Sequence, residues 1–303
     1  MPRTHSMTSM VRISPPLRIK HQTDDDAPLL TDHWSTINGL RIFSRVSECP
    51  PFPAEHALPI VHVHGFGISG RYLEPTARLL ARHYPTYIPD LPGHGQSDRP
   101  PRQPGIPELA SMLLAYVDAM QLSHVVLLGN SMGCLIVAEF AHRFPDRIAR
   151  GVLVSPAGGP HNQPLARAAV QLARDGIREP LSLARIALPD YARFGIVNTV
   201  RAFHRMTRYP TTERLATLPV PFLVIIGNND PLVSVSQLLT IFASPAEVDL
   251  VYHFDSAHAI NYSHPEALAR VTHAYLQGHP LRKLFTQGEL VAHIDDRVQD
   301  ENS

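Results

Sequence analysis

An α/β fold, with a mostly parallel central sheet flanked by helices, is predicted by three observations. Runs of branched apolar residues such as Pro59-Ile60-Val61-His62-Val63, Ile148 to Ser155 and Phe222-Leu223-Val224-Ile225-Ile226 alternate with stretches of helical apolar spacing, the pattern of buried strands connected by helices that cover the sheet. One apolar run, Val125-Val126-Leu127-Leu128, leads directly into Gly129-Asn130-Ser131-Met132-Gly133 and then into Leu135-Ile136-Val137-Ala138. Lastly, residues 156 to 214 carry helical spacing with no convincing strand, and a connection of that length is a lid or binding element rather than a plain loop.

Composition bounds the rest. The chain has 303 residues, 44% apolar and 18% charged, enough to bury a sizeable core. Formal net charge is zero, so nothing global recruits nucleic acid or an anionic membrane. Cys49 and Cys134 are too few for a disulfide scaffold and lack metal-site spacing, which points to a reducing, cytoplasmic setting. No apolar run reaches the roughly 18 residues that span a bilayer, so no membrane insertion is expected.

Taken in order, residues 1–30 read as a tail: four basic residues precede the first acid, and no continuous apolar stretch makes a secretory signal. Asn38-Gly39 between two β-prone runs predicts a hairpin over Trp34 to Val46. A strand over Pro59 to His64 ends in Gly65-Phe66-Gly67, a turn able to aim backbone N–H groups at an anion. Helical spacing follows over Tyr72 to His83 and Pro107 to Leu122, with a short strand at Thr86 to Asp90 between them. After the long interruption come a strand at Phe222 to Ile226, the turn Gly227-Asn228-Asn229-Asp230-Pro231, a last strand at Val248 to Phe254, and a helix opened by Asn261 to Glu266, with Pro265 in its first turn, that runs through about Leu276. Residues 283–303 add a peripheral strand or tail.

The serine stretch carries the chemistry. A sharp strand-to-helix turn strains its central residue, so its flanks must be nearly free of side chains, and the turn pushes the serine hydroxyl out above the sheet. A serine is a poor nucleophile until a base takes its proton and a third group orients that base. His62-x-His64 has the form of a metal pair, but no carboxylate lies nearby in sequence, and no metal is expected.

His64-Gly65-Phe66-Gly67, Asp90-Leu91-Pro92-Gly93-His94-Gly95-Gln96-Ser97-Asp98 and Gly129-Asn130-Ser131-Met132-Gly133, in that order, resemble the α/β-hydrolase superfamily over roughly residues 33 to 280. The resemblance implies the α/β-hydrolase fold, with a core of residues 31–155 and 215–282 and an inserted helical cap of residues 156–214, and leaves the tail before the core and the extension at 283–303 unexplained. It implies Ser131 as nucleophile, His258 as base and Asp230 as the acid that orients it, in the family's Ser…Asp…His order. Backbone N–H groups of Phe66 and Met132 would form the oxyanion hole, and His94 and Asp98 would shape the loop beside the site. His253 and His264 compete with His258, and Asp249 and Asp255 with Asp230, but none sits as well at a strand's end. Ala257 stands where many members have glycine.

A serine at the turn argues against the dehalogenases and epoxide hydrolases of similar fold, which use aspartate. It fits an esterase acting on a small-molecule substrate without a cofactor. It also permits thioester, lactone or carbon–carbon bond hydrolysis and perhydrolase chemistry, or a ligand receptor that keeps the fold. The expected cap holds nine arginines against four acids between Ser155 and Leu215, read either as solvated helix faces or as attraction for an anionic substrate.

Overall fold

The computed structural model describes residues 30–47, 58–242, 248–253, 256–279, 281 and 291–293. The predicted tail before residue 30, Cys49, Asp255 and most of the segment after residue 282 lie outside them.

The chain opens with the hairpin β1 (Thr31–Ile37) and β2 (Leu40–Ser47). Asn38 and Gly39 both have positive φ, 51° and 78°, as a two-residue turn between twisted strands requires. There follow β3 (Ile60–Val63), α1 (Glu74–Leu80), β4 (Thr86–Pro89), α2 (Ile106–Ala119), β5 (Val125–Asn130), α3 (Met132–Arg143) and β6 (Ile148–Val154). Four helices then run without a strand: α4 (Leu165–Arg178), α5 (Leu181–Phe194), α6 (Ile196–Arg208) and α7 (Thr211–Ala216). The chain returns to the sheet with β7 (Phe222–Gly227), α8 (Val235–Ile241), β8 (Val248–His253), α9 (Ile260–Ser263), α10 (Pro265–Leu276) and β9 (Val291–His293).

The strands form one sheet in the order β1-β2-β4-β3-β5-β6-β7-β8-β9. The pairs from β4 through β8 are parallel, while β1, β2 and β9 run antiparallel at the edges. Alternation along the central strands divides the core. Val125 and Leu127 pack with α2 and α3 on one face, whereas Val126 and Leu128 pack with the α10 side chains Leu268 and Val271 on the other. Strands β3, β5 and β7 are buried along their full length, which is why they read as continuous apolar runs rather than alternating ones. Such a sheet fixes its strand ends rigidly, and the loops beyond the carboxyl ends of β3, β5 and β7 converge. Among the described residues no helix is long and apolar enough to cross a membrane.

Candidate active site

Strand β5 delivers Ser131 at φ 58° and ψ −121°, a conformation that costs a non-glycine residue about 1–3 kcal/mol. Its N–H donates to Val154 O at 3.0 Å, and its carbonyl accepts the Cys134 N–H at 3.0 Å. The two flanking glycines are required sterically. A Cβ on Gly129 would lie 2.6 Å from the Gly133 carbonyl carbon, and one on Gly133 would lie 2.1 Å from Val63 O. The first contact closes the turn and the second seats α3 against β3. Cys134, on the following turn of helix, is fully buried and directs its thiol at the Gly129 and Val154 carbonyls.

Beyond β7, Asp230 is held by the turn it creates, its Oδ1 accepting the Leu232 N–H at 2.8 Å. Its Oδ2 accepts from Nδ1 of His258 at 2.7 Å. His258 arrives on the loop after β8, which passes so close to β7 that a Cβ on Gly227 would lie 2.4 Å from Ser256 O. With Nδ1 donating to Asp230, the neutral ring presents Nε2 as an acceptor. That Nε2 is buried and has no hydrogen-bond partner among the described residues. Burial opposes charge on His258, but the Asp230 carboxylate with its hydrogen bond, helped by Asp175 and Glu179, outweighs it and raises the imidazole to about 9.

Ser131 and His258 line one cavity of about 290 Å³, together with Phe66, Ile68, Tyr72 and the apolar side chains Leu172, Leu183, Phe203, Met206 and Leu232. The turn after β3 abuts the serine: a Cβ on Gly65 would fall 3.2 Å from Ser131 Cβ. Gly67, at φ 69°, leaves room for the Tyr191 ring of α5, which a Cβ there would meet at 2.6 Å. The Phe66 ring packs on Phe194 and Phe203 at centroid distances of 5.6 and 5.2 Å. The backbone N–H groups of Phe66 and Met132 donate to no protein acceptor among the described residues.

Sequence reasoning missed four residues of this site. Tyr72 Oη accepts the Gly65 N–H at 2.8 Å and donates to Asn130 Oδ1 at 2.7 Å. Asn130 in turn donates through Nδ2 to Val154 O at 3.1 Å and to His258 O at 3.2 Å. This buried chain ties the turn at Phe66, the residue before Ser131 and the histidine loop into one frame. From the four-helix segment, Asp175 Oδ1 accepts the His258 N–H at 3.2 Å and Glu179 Oε1 accepts the Ala259 N–H at 2.6 Å. Burial pushes both carboxyls up, and Glu179, with Asp175 nearby, reaches about 7. Asn130 was legible as a motif letter only, and nothing in the spacing marks Tyr72, Asp175 or Glu179, because the contacts form between segments far apart in sequence.

Of the two readings open for the arginines of the helical segment, the cavity lining favours solvated helix faces over an anion site in the cavity. No arginine lines it, the charged side chains there besides His258 are Asp175 and Glu179, and Arg174, Arg178 and Arg185 are exposed. Arg178, Arg193 and Arg205 instead donate to the carbonyls of Asn229, Gly95 and Gln103, pinning the segment to the loops beneath.

The other candidate histidines and acids fall elsewhere. His62 and His64 are fully buried, and burial lowers them to about 3 and about 4. His64 is a brace: its Nδ1 donates to Gly65 O at 2.8 Å and its Nε2 accepts the Leu91 N–H at 2.9 Å. His94 stacks on Phe194, and Asp98 accepts the backbone N–H of Arg41 at 2.9 Å. His264 caps α10.

The model of the Alpha/beta hydrolase family matches residues 60–271. The chain belongs to the alpha/beta hydrolase family. Among curated relatives, an (E)-2-((N-methylformamido)methylene)succinate hydrolase of Acinetobacter baylyi is 22% identical over 73% of this chain and 91% of that protein. An uncharacterized protein of Mycobacterium tuberculosis is 28% identical over 128 residues, 42% of this chain. The match spans only 36% of the length of that relative. Among solved structures, a bacterial membrane phospholipase A superposes with a TM-score of 0.70 at 21% identity, over 84% of this chain and 87% of that one. At that identity the likeness shows the alpha/beta hydrolase fold alone.

Proposed function

We propose that this chain is a serine hydrolase that cleaves a carboxylic ester of a small substrate through an acyl-enzyme on Ser131. The observation that carries the reading is His258. Its Nδ1 is committed to Asp230 at 2.7 Å, and its Nε2 stands buried and unpartnered in a cavity it shares with Ser131. A base so oriented accepts the serine proton as Oγ attacks the carbonyl carbon, and returns it to the leaving alcohol as the tetrahedral intermediate collapses. Water then repeats the sequence in the second half-reaction and releases the acid. Asp230 fixes the tautomer and balances the imidazolium. The N–H groups of Phe66 and Met132 receive the oxyanion, each such donor contributing about 10²–10³ in rate. Helices α4–α7 act as a cap whose apolar lining favours an apolar acyl group. A reducing cytoplasm, where the buried Cys134 stays a thiol, is the compartment this reading assumes.

A fluorophosphonate probe should add its mass to Ser131, and Ser131→Ala should lose both labelling and p-nitrophenyl ester hydrolysis. Asp230→Asn should keep the labelled site but cut kcat by about 10⁴, the usual cost of misorienting the base. Undiminished labelling of Ser131→Ala would overturn the assignment. Ligand-dependent thermal stabilisation without turnover of any ester, thioester, lactone or diketone would point to a receptor instead.

A further inference from the structure

The outer surface of the four-helix segment has a composition that water alone does not explain. Ile177, Leu181, Leu188, Ile196, Val197 and Val200 are 85%, 88%, 68%, 80%, 57% and 50% exposed. They account for most of the large exposed apolar residues described in the whole chain, and all sit on α4, α5 and α6. A folded protein tolerates single exposed apolar side chains, but a cluster on one segment marks a contact surface.

Cations are interleaved with them. On α4 the exposed residues Arg167, Val170, Arg174 and Ile177 follow one another at three- and four-residue spacing, so they share one stripe. Leu181, Arg185 and Leu188 on α5, and Val197, Val200, Arg201 and Arg208 on α6, repeat the pattern. Arg167, Arg174, Arg185, Arg201 and Arg208 make no side-chain hydrogen bond or ion pair among the described residues. The acids of the segment cannot neutralise them. Asp175 and Glu179 are buried against the histidine loop, and Asp190 accepts the Ser69 N–H at 2.8 Å. Glu213 alone is exposed among them. The chain's zero net charge thus conceals a strongly positive, apolar-studded face.

We infer that this face docks on an anionic phospholipid surface. Exposed isoleucines and leucines enter the acyl–headgroup boundary while guanidinium groups reach back to the phosphates, the division of labour of a peripheral amphipathic surface. Charge complementarity selects this partner. Two positive faces would repel in a dimer of this chain, and a nucleic acid would leave the isoleucines in water. The geometry also gives docking a purpose. Leu181 and Leu188 belong both to the exposed set and to the cavity lining, so the cavity opens through the docking face and an acyl chain can enter from the lipid. Contact is peripheral and reversible. It is independent of the hydrolytic reading, because binding requires no turnover.

Sedimentation of the full-length protein with vesicles tests the inference. Partition should be strong on phosphatidylcholine–phosphatidylglycerol vesicles, weak on phosphatidylcholine alone, and should fall as salt is raised. Arg174→Ala with Arg201→Ala should weaken binding to anionic vesicles about thirtyfold, and Ile177→Ser with Val200→Ser should weaken it further at high salt. None of these four residues lines the cavity, so thermal unfolding should be near that of the unmodified chain. The inference is overturned if the protein ignores anionic vesicles, or if both double variants bind them as well as the parent. It is equally overturned if light scattering finds a dimer that Ile177→Ser with Val200→Ser dissolves, since a second copy then covers the face.

Discussion

Glu179 Oε1 accepts the backbone N–H of Ala259 at 2.6 Å, one residue beyond His258, whose own N–H goes to Asp175. The segment over the cavity therefore grips the histidine loop through its backbone, and brings two more carboxyls toward the imidazole. A base must be neutral to accept a proton, so an imidazole raised to about 9 holds activity back at neutral pH. Glu179→Gln keeps an acceptor for Ala259 but removes a charge that favours the imidazolium. We expect the apparent pKa of kcat/KM for a soluble p-nitrophenyl ester to fall toward the ordinary histidine value of about 6.5. The rate at pH 7 should rise while KM changes little. A pH profile superimposable on that of the unmodified chain would deny Glu179 this role.

Tyr72→Phe should act through the frame rather than the chemistry. Its hydroxyl joins Gly65 N–H to Asn130 Oδ1 inside the core, and its removal leaves a buried donor and a buried acceptor without that partner. The cost is about 1–3 kcal/mol per orphaned group, read as a lower midpoint in urea. With the turn at Phe66 slackened, kcat should fall more than KM rises. A variant as stable and active as the parent would show that the bridge is dispensable.

Two glycines make opposite predictions. Gly133→Ala would place Cβ 2.1 Å from Val63 O, a backbone atom that cannot yield without separating α3 from β3, so the protein should fail to fold or lose about 4 kcal/mol or more. Gly176 lies inside α4 with nothing within 4 Å of its Cβ position. Gly176→Ala should add about 0.5–1 kcal/mol by restoring helix propensity. Paired thermal melts would check both signs.

The architecture was legible because buried parallel strands leave unmistakable apolar runs, and because Gly129, Gly133 and the Asn38-Gly39 turn are dictated by local geometry. Strand and helix ends fall close to the expected ones: the strand expected over Ile148 to Ser155 is β6, Ile148–Val154, and the single helix expected from the Asn261 to Glu266 stretch through about Leu276 is split into α9, Ile260–Ser263, and α10, Pro265–Leu276. Asp230 and His258 do meet, as their places after strands suggested. What stayed hidden depends on long-range docking. Asp175 and Glu179 look like ordinary helix-surface acids until α4 is laid over the histidine loop. The same hidden geometry left the two readings of the arginines undecided, since a helix pattern says which residues share a stripe but not which stripe faces the cavity.

His62 offers the last test, through stability rather than rate. It is fully buried on β3, and both ring nitrogens lack a partner among the described residues. Burial lowers it to about 3, below the unfolded value of about 6.5. The sign follows from linkage. A group depressed on folding contributes stability that is intact above about pH 6.5 and is lost as pH falls toward about 3, because the unfolded chain takes up the proton first. The loss is about 1.4 kcal/mol per pH unit for one site. His62→Leu fills a similar volume, removes two unpaired polar atoms and abolishes the titration. At pH 7.5 the variant should be at least as stable as the parent, since an apolar replacement of similar shape is nearly neutral or stabilising. At pH 5 its advantage should have grown by about 2 kcal/mol. Urea unfolding at the two pH values measures the difference directly, and an advantage that does not widen on acidification would mean that His62 takes up its proton in the folded protein as readily as in the unfolded chain.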